Sequence, residues 1–291
     1  MDPTSSGQHV LMSDQSKIKR AIRNTTIVVN SRDRNYMNYP NPNHFRYTLR
    51  RPLTNVMSIE LMNGSIPSFI FNIQAQWGSF TVVEGGKVFS ITLTSGFYTD
   101  STLCTELQKQ LNAIAGKQNT YVVAQDPVTR KLTITSTHTV AYSFLFYSGS
   151  PKDTVVMNTL TVLSINTPAR LLGFGFSDYT SDSSGTINGV TPMDIDNFSN
   201  RIYLHLESDG KNLARMELGA GRNDCFHIFY IEPGSNYTFL NKETDHSVFT
   251  SSPAPIARMA NLEIFIRDEF NRLVDLNHRE LNLVFEITHL E

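Results

Sequence analysis

The sequence has few cysteines, few charges and no long apolar run. Its two cysteines, Cys104 and Cys225, lie far apart and form no Cys-x-x-Cys pair, which excludes a disulfide framework. No stretch approaches 18 uninterrupted apolar residues, and Met1 is not followed by a charged and then an apolar segment. We therefore expect a chain without a transmembrane segment that is made in the cytosol, stays soluble and keeps both thiols reduced and buried.

Catalytic and cofactor motifs are equally scarce. The sequence has no Gly-x-Ser-x-Gly, no His-Glu-x-x-His and no Walker-type loop, and the glycines at 173–175 and 219–221 lack the third glycine of a dinucleotide site. Cys225 and His227 share one face of a predicted strand, but no further metal ligand or oriented base accompanies them. We expect both side chains in the core.

Acidic residues give no stronger sign of a site. The cluster Asp178, Asp182, Asp194 and Asp196 fits no calcium loop, so we expect solvated loop acids. A pair of carboxylates for glycoside hydrolysis stays possible, because such residues come together only in the folded protein. However, the chain has one tryptophan and so offers few aromatic platforms for a sugar. We predict no enzymatic activity, no catalytic residue, no cofactor and no metal.

The composition favours a large, weakly charged β protein. At 291 residues the chain can bury a large core without disulfides or metals, either in one large domain or split into two. Charged residues make up 18% of it, below the roughly 25% that is usual in soluble domains. Serine, threonine and asparagine are abundant instead. A surface of this kind is typical of a protein that covers much of its exterior with neighbouring subunits.

Charge is distributed unevenly. Between Lys17 and Arg51 nine basic residues stand against one acid, Asp33, for a net charge of +8. Because the whole chain carries −2, the remainder carries −10. A basic segment on an acidic body suggests attraction between subunits or an arm that reaches an acidic partner. No aromatic platform or known motif accompanies these charges, so we expect no specific nucleic acid.

The chain divides into an arm and one domain. Residues 1–23 contain few apolar side chains and predict a flexible basic arm. Residues 24–291 show recurrent period-two alternation, which predicts β-strands. Within them, a segment rich in Ser, Asp, Gly and Thr at 178–200 predicts a loop insertion.

Ten or more short strands and a single helix are predicted. The helix has Asp100 or Ser101 as its cap, leucines at 103, 107 and 111 with Ile114 on one face, and Gly116 as its stop. No βαβ alternation occurs, so the pattern favours an antiparallel β-sandwich. The clearest strands are Thr26–Val29, Phe80–Val83, Val88–Leu93, Tyr121–Ala124, Lys131–Thr135, Tyr142–Tyr147, Ile202–Leu206, Phe226–Ile231, Leu262–Ile266 and Leu281–Ile287.

The stretch from Val28 to Pro67 holds the most distinctive residues. Asn-Ser-Arg-Asp-Arg at 30–34 precedes Tyr-Pro-Asn-Pro-Asn at 39–43, and Leu-x-x-Val-x-Ser-Ile-Glu-Leu follows at 53–61. The prolines at 40, 42, 52 and 67 predict a strand, a loop, a strand, a connection and a further strand. Gly-Phe-Tyr-Thr at 96–99 and Leu-Leu-Gly-Phe at 171–174 occur further along the chain.

This order of motifs resembles the vertex (penton) and minor capsid proteins of the nucleocytoplasmic large double-stranded DNA viruses, including those of algae. The resemblance covers most of 26–291. It implies a single jelly roll, and a structural protein of the virion capsid that is assembled in the host cytoplasm. It also implies a homopentamer at the vertex that contacts the major capsid protein and other minor capsid proteins.

We expect Arg32, Arg34, Tyr36 and Tyr39 to contact neighbouring subunits, with ordinary loop residues as the alternative reading. Two other functions stay open. One is a minor capsid protein that cements major capsomers away from the vertices. The other, from a different class, is a glycan- or receptor-binding β-sandwich.

Overall fold

A computed structural model of the chain describes residues 21–137, 140–156, 161–195, 201–216, 224–231, 236–240, 247–251 and 254–290. The predicted arm, 1–23, lies almost wholly outside these residues, as does Asp196. The described part is mainly β, with antiparallel pairing in each of its sheets and one α-helix. This confirms the predicted class, an antiparallel β-sandwich of the jelly-roll type.

The helix, α1, spans Asp100–Asn112, and a short 3-10 helix spans Ser31–Asp33. The strands in chain order are β1 Ile22–Asn30, β2 His44–Pro67, β3 Ser79–Glu84, β4 Lys87–Thr92, β5 Tyr121–Gln125, β6 Leu132–Ser136, β7 Tyr142–Leu145, β8 Thr154–Val156, β9 Thr161–Ser164, β10 Tyr179–Thr180, β11 Thr186–Asn188, β12 Arg201–Ser208, β13 Lys211–Asn212, β14 His227–Tyr230, β15 Tyr237–Phe239, β16 Ser247–Thr250, β17 Ile256–Arg267 and β18 Asn282–Leu290.

The largest sheet has nine strands and folds over its own apolar face. Its main path runs β1-β18-β2-β17-β12-β13, and β14 pairs with β12. In a flat sheet β14 and β18 would lie about 19 Å apart, four strand spacings of ~4.8 Å. However, Phe226, which directly precedes β14, contacts Phe285 of β18 with ring centroids 6.1 Å apart. The two ends of the sheet therefore meet across one core, as in a sandwich.

Strand β2 corrects part of the expectation for Val28–Pro67. The prolines predicted a break at Pro52, whereas β2 runs through it for 24 residues. The pairing with β17 jumps from Thr48 opposite Asn261 to Leu53 opposite Met259, so the residues between them form a bulge. Pro52 is tolerated there because a bulged residue needs no backbone donor.

A second core lies in the middle of the chain, between Ile73 and Ile195. It is formed by a four-stranded sheet (β10-β7-β3-β4), a three-stranded sheet (β11-β6-β5) and helix α1. Aromatic side chains fill its centre, where Phe80, Phe144 and Phe146 pack with ring centroids 5.2 to 5.9 Å apart. The strands on either side of this segment in sequence build the first core.

The predicted insertion at 178–200 contributes to this second core. Strands β10 and β11 fall inside it and pair with β7 and β6. Ile187, Met193 and Ile195 are buried in the cluster. A Ser- and Asp-rich composition indicated a loop, but three well-spaced apolar residues suffice to anchor the segment. The division of the chain into an arm and one domain stays a prediction.

Helix α1 forms where the leucine spacing predicted it. Leu103, Leu107 and Leu111 are fully buried. The cap is Thr99, one residue before the predicted positions, and its hydroxyl and that of Thr102 form a reciprocal capping box. The end of the helix is bound to β5, because the Asn112 side chain accepts from the N–H of Tyr121 and donates to its carbonyl.

Gly173, in the Leu-Leu-Gly-Phe motif, tests how tightly this core is built. Its φ is +79°, and an added Cβ would overlap the carbonyl oxygen of Thr191. We expect Gly173→Ala to lower the free energy of unfolding by about 3 kcal/mol or more, because backbone strain and overpacking add. Urea unfolding followed by circular dichroism would measure the loss.

Gly86→Ala is the matched control. Gly86 has nearly the same φ, +78°, but no atom lies within 4 Å of an added Cβ. Only the backbone cost of about 1 kcal/mol should remain. Equal losses in the two variants would contradict the close packing at Gly173.

Glu106 predicts sensitivity to acid. Burial acts to raise its pKa, but hydrogen bonds from Gln110 and Thr94 outweigh burial and hold the pKa at about 2, below the ordinary 4.5. Since the folded pKa is the lower one, this stabilisation is present above pH 4.5 and is lost as the pH falls toward 2. We expect Glu106→Gln to cost on the order of 2 kcal/mol at pH 7 and much less at pH 3.

Urea titrations of both proteins at the two pH values would measure this difference. Asp194→Asn, at an exposed position of the chain segment that forms the second core, controls for the general effect of removing one carboxylate. A Glu106→Gln cost that stays constant with pH would contradict the prediction.

Candidate interaction surface

The loop Asn30–Asn43, here called the tip loop, is held in place by one buried arginine. Arg34 is only 6% exposed. Its guanidinium donates to the carbonyls of Ser31, Tyr39 and Pro40 at 2.7, 2.9 and 3.1 Å. It also donates to both carboxylate oxygens of Glu280, at 2.9 and 2.7 Å. Arg34 thus gathers the two ends of the loop around a single ion pair.

Glu280 is the fixed point of this arrangement. It precedes β18, and the hydroxyl of Ser31 also donates to it. Burial acts to raise the pKa of Glu280, but the hydrogen bonds from Arg34 and Ser31 prevail and keep it below the usual range. Ser31 in turn accepts from the N–H of Leu281 at 2.9 Å and donates its own N–H to the Leu281 carbonyl at 3.0 Å. The carboxylate is therefore charged and locked to the sheet.

The outer side of the tip loop carries exposed aromatic and apolar side chains. Tyr36 is 52% exposed and Met37 is 93% exposed. The Tyr36 ring lies 4.2 Å from the Arg34 guanidinium, and its hydroxyl donates to the carbonyl of Arg32. The Asn35 side chain accepts from the N–H groups of Met37 and Asn38. These bonds hold the Tyr36 ring and the backbone that carries Met37.

The four residues predicted as contacts take different places. Arg32 and Tyr36 are exposed, Arg34 is buried, and Tyr39 is half-buried against the first core with its ring 5.1 Å from His44. Arg34 therefore shapes the tip loop from the inside. Whether Arg32, Tyr36 and Tyr39 contact another subunit stays a prediction.

The sequence analysis did not predict a second exposed cluster. The rings of Phe69, Phe71 and Phe97, here called the aromatic patch, lie against one another, with centroids 6.0 Å apart for Phe69 and Phe71 and 5.6 Å for Phe69 and Phe97. Phe69 is 38% and Phe97 49% exposed. The guanidinium of Arg279 lies 5.4 Å from the Phe69 ring. Arg279 adjoins Glu280, so one short segment supports both the tip loop and the patch.

The patch forms because the Gly-Phe-Tyr-Thr motif docks on Asn72. The Asn72 side chain accepts from the N–H of Tyr98 at 2.9 Å and donates to its carbonyl at 2.7 Å. Ile73 and Gly96 exchange backbone hydrogen bonds beside it. This brings Phe97 beside Phe69. The motif was visible in the sequence, but a pairing across 26 residues by one asparagine leaves no periodic signal.

The residues weighed for chemistry lie apart from this surface. Cys225 and His227 are buried, as expected, and burial raises the pKa of the Cys225 thiol to about 11, which disfavours a thiolate. The Asp178 carboxylate accepts from Tyr147 and Ser148, and that of Asp182 closes a turn with Ser184 and Thr186. Among the described residues no three His, Cys, Asp or Glu side chains converge on a metal-sized site.

Burial likewise raises the pKa of the Cys104 thiol to about 11. No described helix has the length and apolar character needed to cross a membrane.

Comparison with known proteins gives a family but no activity. No curated protein matches the chain. Among solved structures, the chain is similar to the crystal structure of a selenomethionine-labelled mavirus penton protein, at 12% identity over 94% of this chain and 100% of that one. The TM-score of 0.34 is too low to establish a common fold. Residues 17–172 match a family described as "Family of unknown function (DUF5901)", and the chain belongs to this family.

The roles of the two tip-loop arginines can be separated by mutation. We expect Arg34→Lys to lower the free energy of unfolding by about 2 kcal/mol, because lysine cannot replace the forked contacts to Glu280 and three carbonyls. The exposed Arg32→Lys should change it by less than about 0.5 kcal/mol. Urea unfolding of both variants measures this. Equal, small effects would contradict the bracing role of Arg34.

Proposed function

We propose that the protein is a structural capsid protein of a large icosahedral DNA virus, the penton subunit that forms the pentameric vertex. In this proposal it has no enzymatic activity, resides in the virion and is assembled in the host cytoplasm. The motif order at 30–34, 39–43 and 53–61 is the sequence basis for it. Its partners are further copies of itself, the major capsid protein and other minor capsid proteins.

The observation that carries the proposal is the braced, exposed tip loop. Tyrosine, methionine and arginine are the residue types enriched at the centres of protein interfaces, and the loop presents Tyr36, Met37 and Arg32 together. Because Arg34 and Glu280 already fix the backbone, association loses little conformational entropy there. A rigid apolar projection of this kind suits repeated contact between identical subunits.

A five-membered ring adds a geometric requirement. Each subunit must present one surface to its neighbour and a different, complementary surface to the other side, and the rotation must close. The tip loop and the aromatic patch supply exposed anchors on a common support at Arg279 and Glu280. The uneven charge along the chain is compatible with attraction between a basic surface of one subunit and an acidic surface of the next.

The copy number in purified virions tests the proposal. Five subunits at each of twelve vertices predict about 60 copies per particle. Quantitative mass spectrometry with isotope-labelled peptides, scaled to the major capsid protein, would measure it. Hundreds of copies would place the protein between capsomers away from the vertices, and absence from particles would contradict a capsid role.

Particles made with altered protein test the tip loop in the same measurement. Tyr36→Asp with Met37→Asp should lower the copy number at least tenfold by placing two charges in the contact. Val88→Asp with Val128→Asp adds the same charge at two exposed apolar positions on the surface of the segment that forms the second core. This variant should leave incorporation unchanged. Circular dichroism of each purified protein confirms that it is folded.

A further inference from the structure

A basic groove opens at the edge of the large sheet, away from the buried chemistry discussed above. It has a volume of about 650 Å³ and lies between β1 and the bulged part of β2. Three arginines, Arg23, Arg50 and Arg51, line it, and none of its lining residues is acidic. No ion pair or hydrogen bond joins the side chains of Arg50 and Arg51 to any described residue. Arg50 and Arg51 thus bring to the groove positive charge that the described residues leave uncompensated.

One wall of the groove is an open strand edge. In the described structure β1 pairs with β18 alone. The N–H of Ser31 donates to Leu281, and the alternation of an antiparallel ladder then directs residues 29, 27, 25 and 23 toward β18. The N–H and C=O groups of Asn24, Thr26 and Val28 therefore point toward the open edge. These groups recur every second residue, at the spacing that an added strand would match.

The opposite wall is the bulged part of β2. Strand β2 pairs with β18 only from Val56 onward, and before that point it pairs with β17. Leu49, Arg50, Arg51 and Pro52 belong to this bulge and lie across the groove from β1. The floor is polar, since His289 Nε2 lies 3.0 Å from the Thr25 hydroxyl.

We propose that this groove binds an extended acidic peptide segment of a partner protein, which adds a strand to the free edge of β1. Backbone hydrogen bonds to Asn24, Thr26 and Val28 hold the segment, and carboxylates on every second residue meet Arg50 and Arg51. Six residues of such a strand span about 20 Å. The proposal does not depend on a capsid role, because it rests on the charge and the open edge alone.

Fluorescence anisotropy with the full chain tests the proposal. The probe is a labelled, blocked peptide of sequence Glu-Thr-Glu-Val-Glu-Thr-Glu, and the reference is the same peptide with Gln for each Glu. We expect saturable binding of the acidic probe that is at least tenfold tighter than that of the reference and weakens with added salt. No binding, or equal binding of both peptides, would overturn the proposal.

Charge reversal locates the site. Arg50→Glu with Arg51→Glu should weaken binding of the acidic probe about tenfold or more. Lys87→Glu with Lys211→Glu changes the net charge equally at exposed positions outside the groove and should leave binding within about twofold. If the reversed arginine pair does not fold, Arg50→Gln with Arg51→Gln replaces it. Equal loss in the two double variants would overturn the assignment of the groove.

A backbone-modified probe separates strand addition from attraction by charge. N-methylation at alternate residues removes the donors and blocks one edge of the peptide without changing its charge. We expect this probe to bind at least tenfold more weakly than the parent. Undiminished binding of it, or competition by a single-stranded oligonucleotide at equal charge concentration, would show a general polyanion surface and overturn the proposal.

Discussion

The long strand β2 is the constraint on which the rest of the structure depends. Its first part pairs with β17, and its second part lies between β18 on one side and β15 and β16 on the other. The bulge at residues 49–52 lies within its pairing with β17. Because one strand takes part in both halves, the nine-stranded sheet closes over a single core. The same bulge forms one wall of the basic groove.

Arg272 contributes several of the contacts between this sandwich and the middle of the chain. Arg272 lies on the turn after β17, where Asp268 holds its guanidinium at 2.7 Å. Its Nη1 donates to the carbonyl of Ile165 at 2.6 Å, and its guanidinium lies 3.9 Å from the Trp77 ring. Ile165 and Trp77 both belong to the middle of the chain. The two parts of the chain are therefore joined by the hydrogen bond and ring contact of Arg272 as well as by the chain connections. Phe69 and Phe71 of the aromatic patch lie on the connection that follows β2.

Local sequence patterns predicted the helix and the strands well, but they did not predict which strands pair. Period-two alternation located β12, β17 and β18, and leucine spacing located α1, because each of these buries one face. It could not show that the middle of the chain forms its own core, since alternation says nothing about which strands pair. Composition indicated a loop at 178–200, and most of its described part is loop, but composition could not show that Ile187, Met193 and Ile195 anchor the segment in the second core. Arg34 was predicted as a contact to a neighbouring subunit, whereas it is buried and binds Glu280, 246 residues away.

The same limit applies to charge. Counting residues gave the segment 17–51 a net charge of +8, but folding pairs part of it with distant carboxylates. Arg34 contacts Glu280, and Arg46 contacts Glu263, 217 residues along the chain, at 2.8 Å. Burial acts to raise the pKa of Glu263, but its bonds to Arg46 and His44 keep it low, so this pair is charged at neutral pH. What remains for a partner at the groove is Arg50 and Arg51. Among the described residues, the basic character of the N-terminal third is therefore partly internal bracing, and Arg50 and Arg51 place part of the remaining charge where backbone geometry can select what binds.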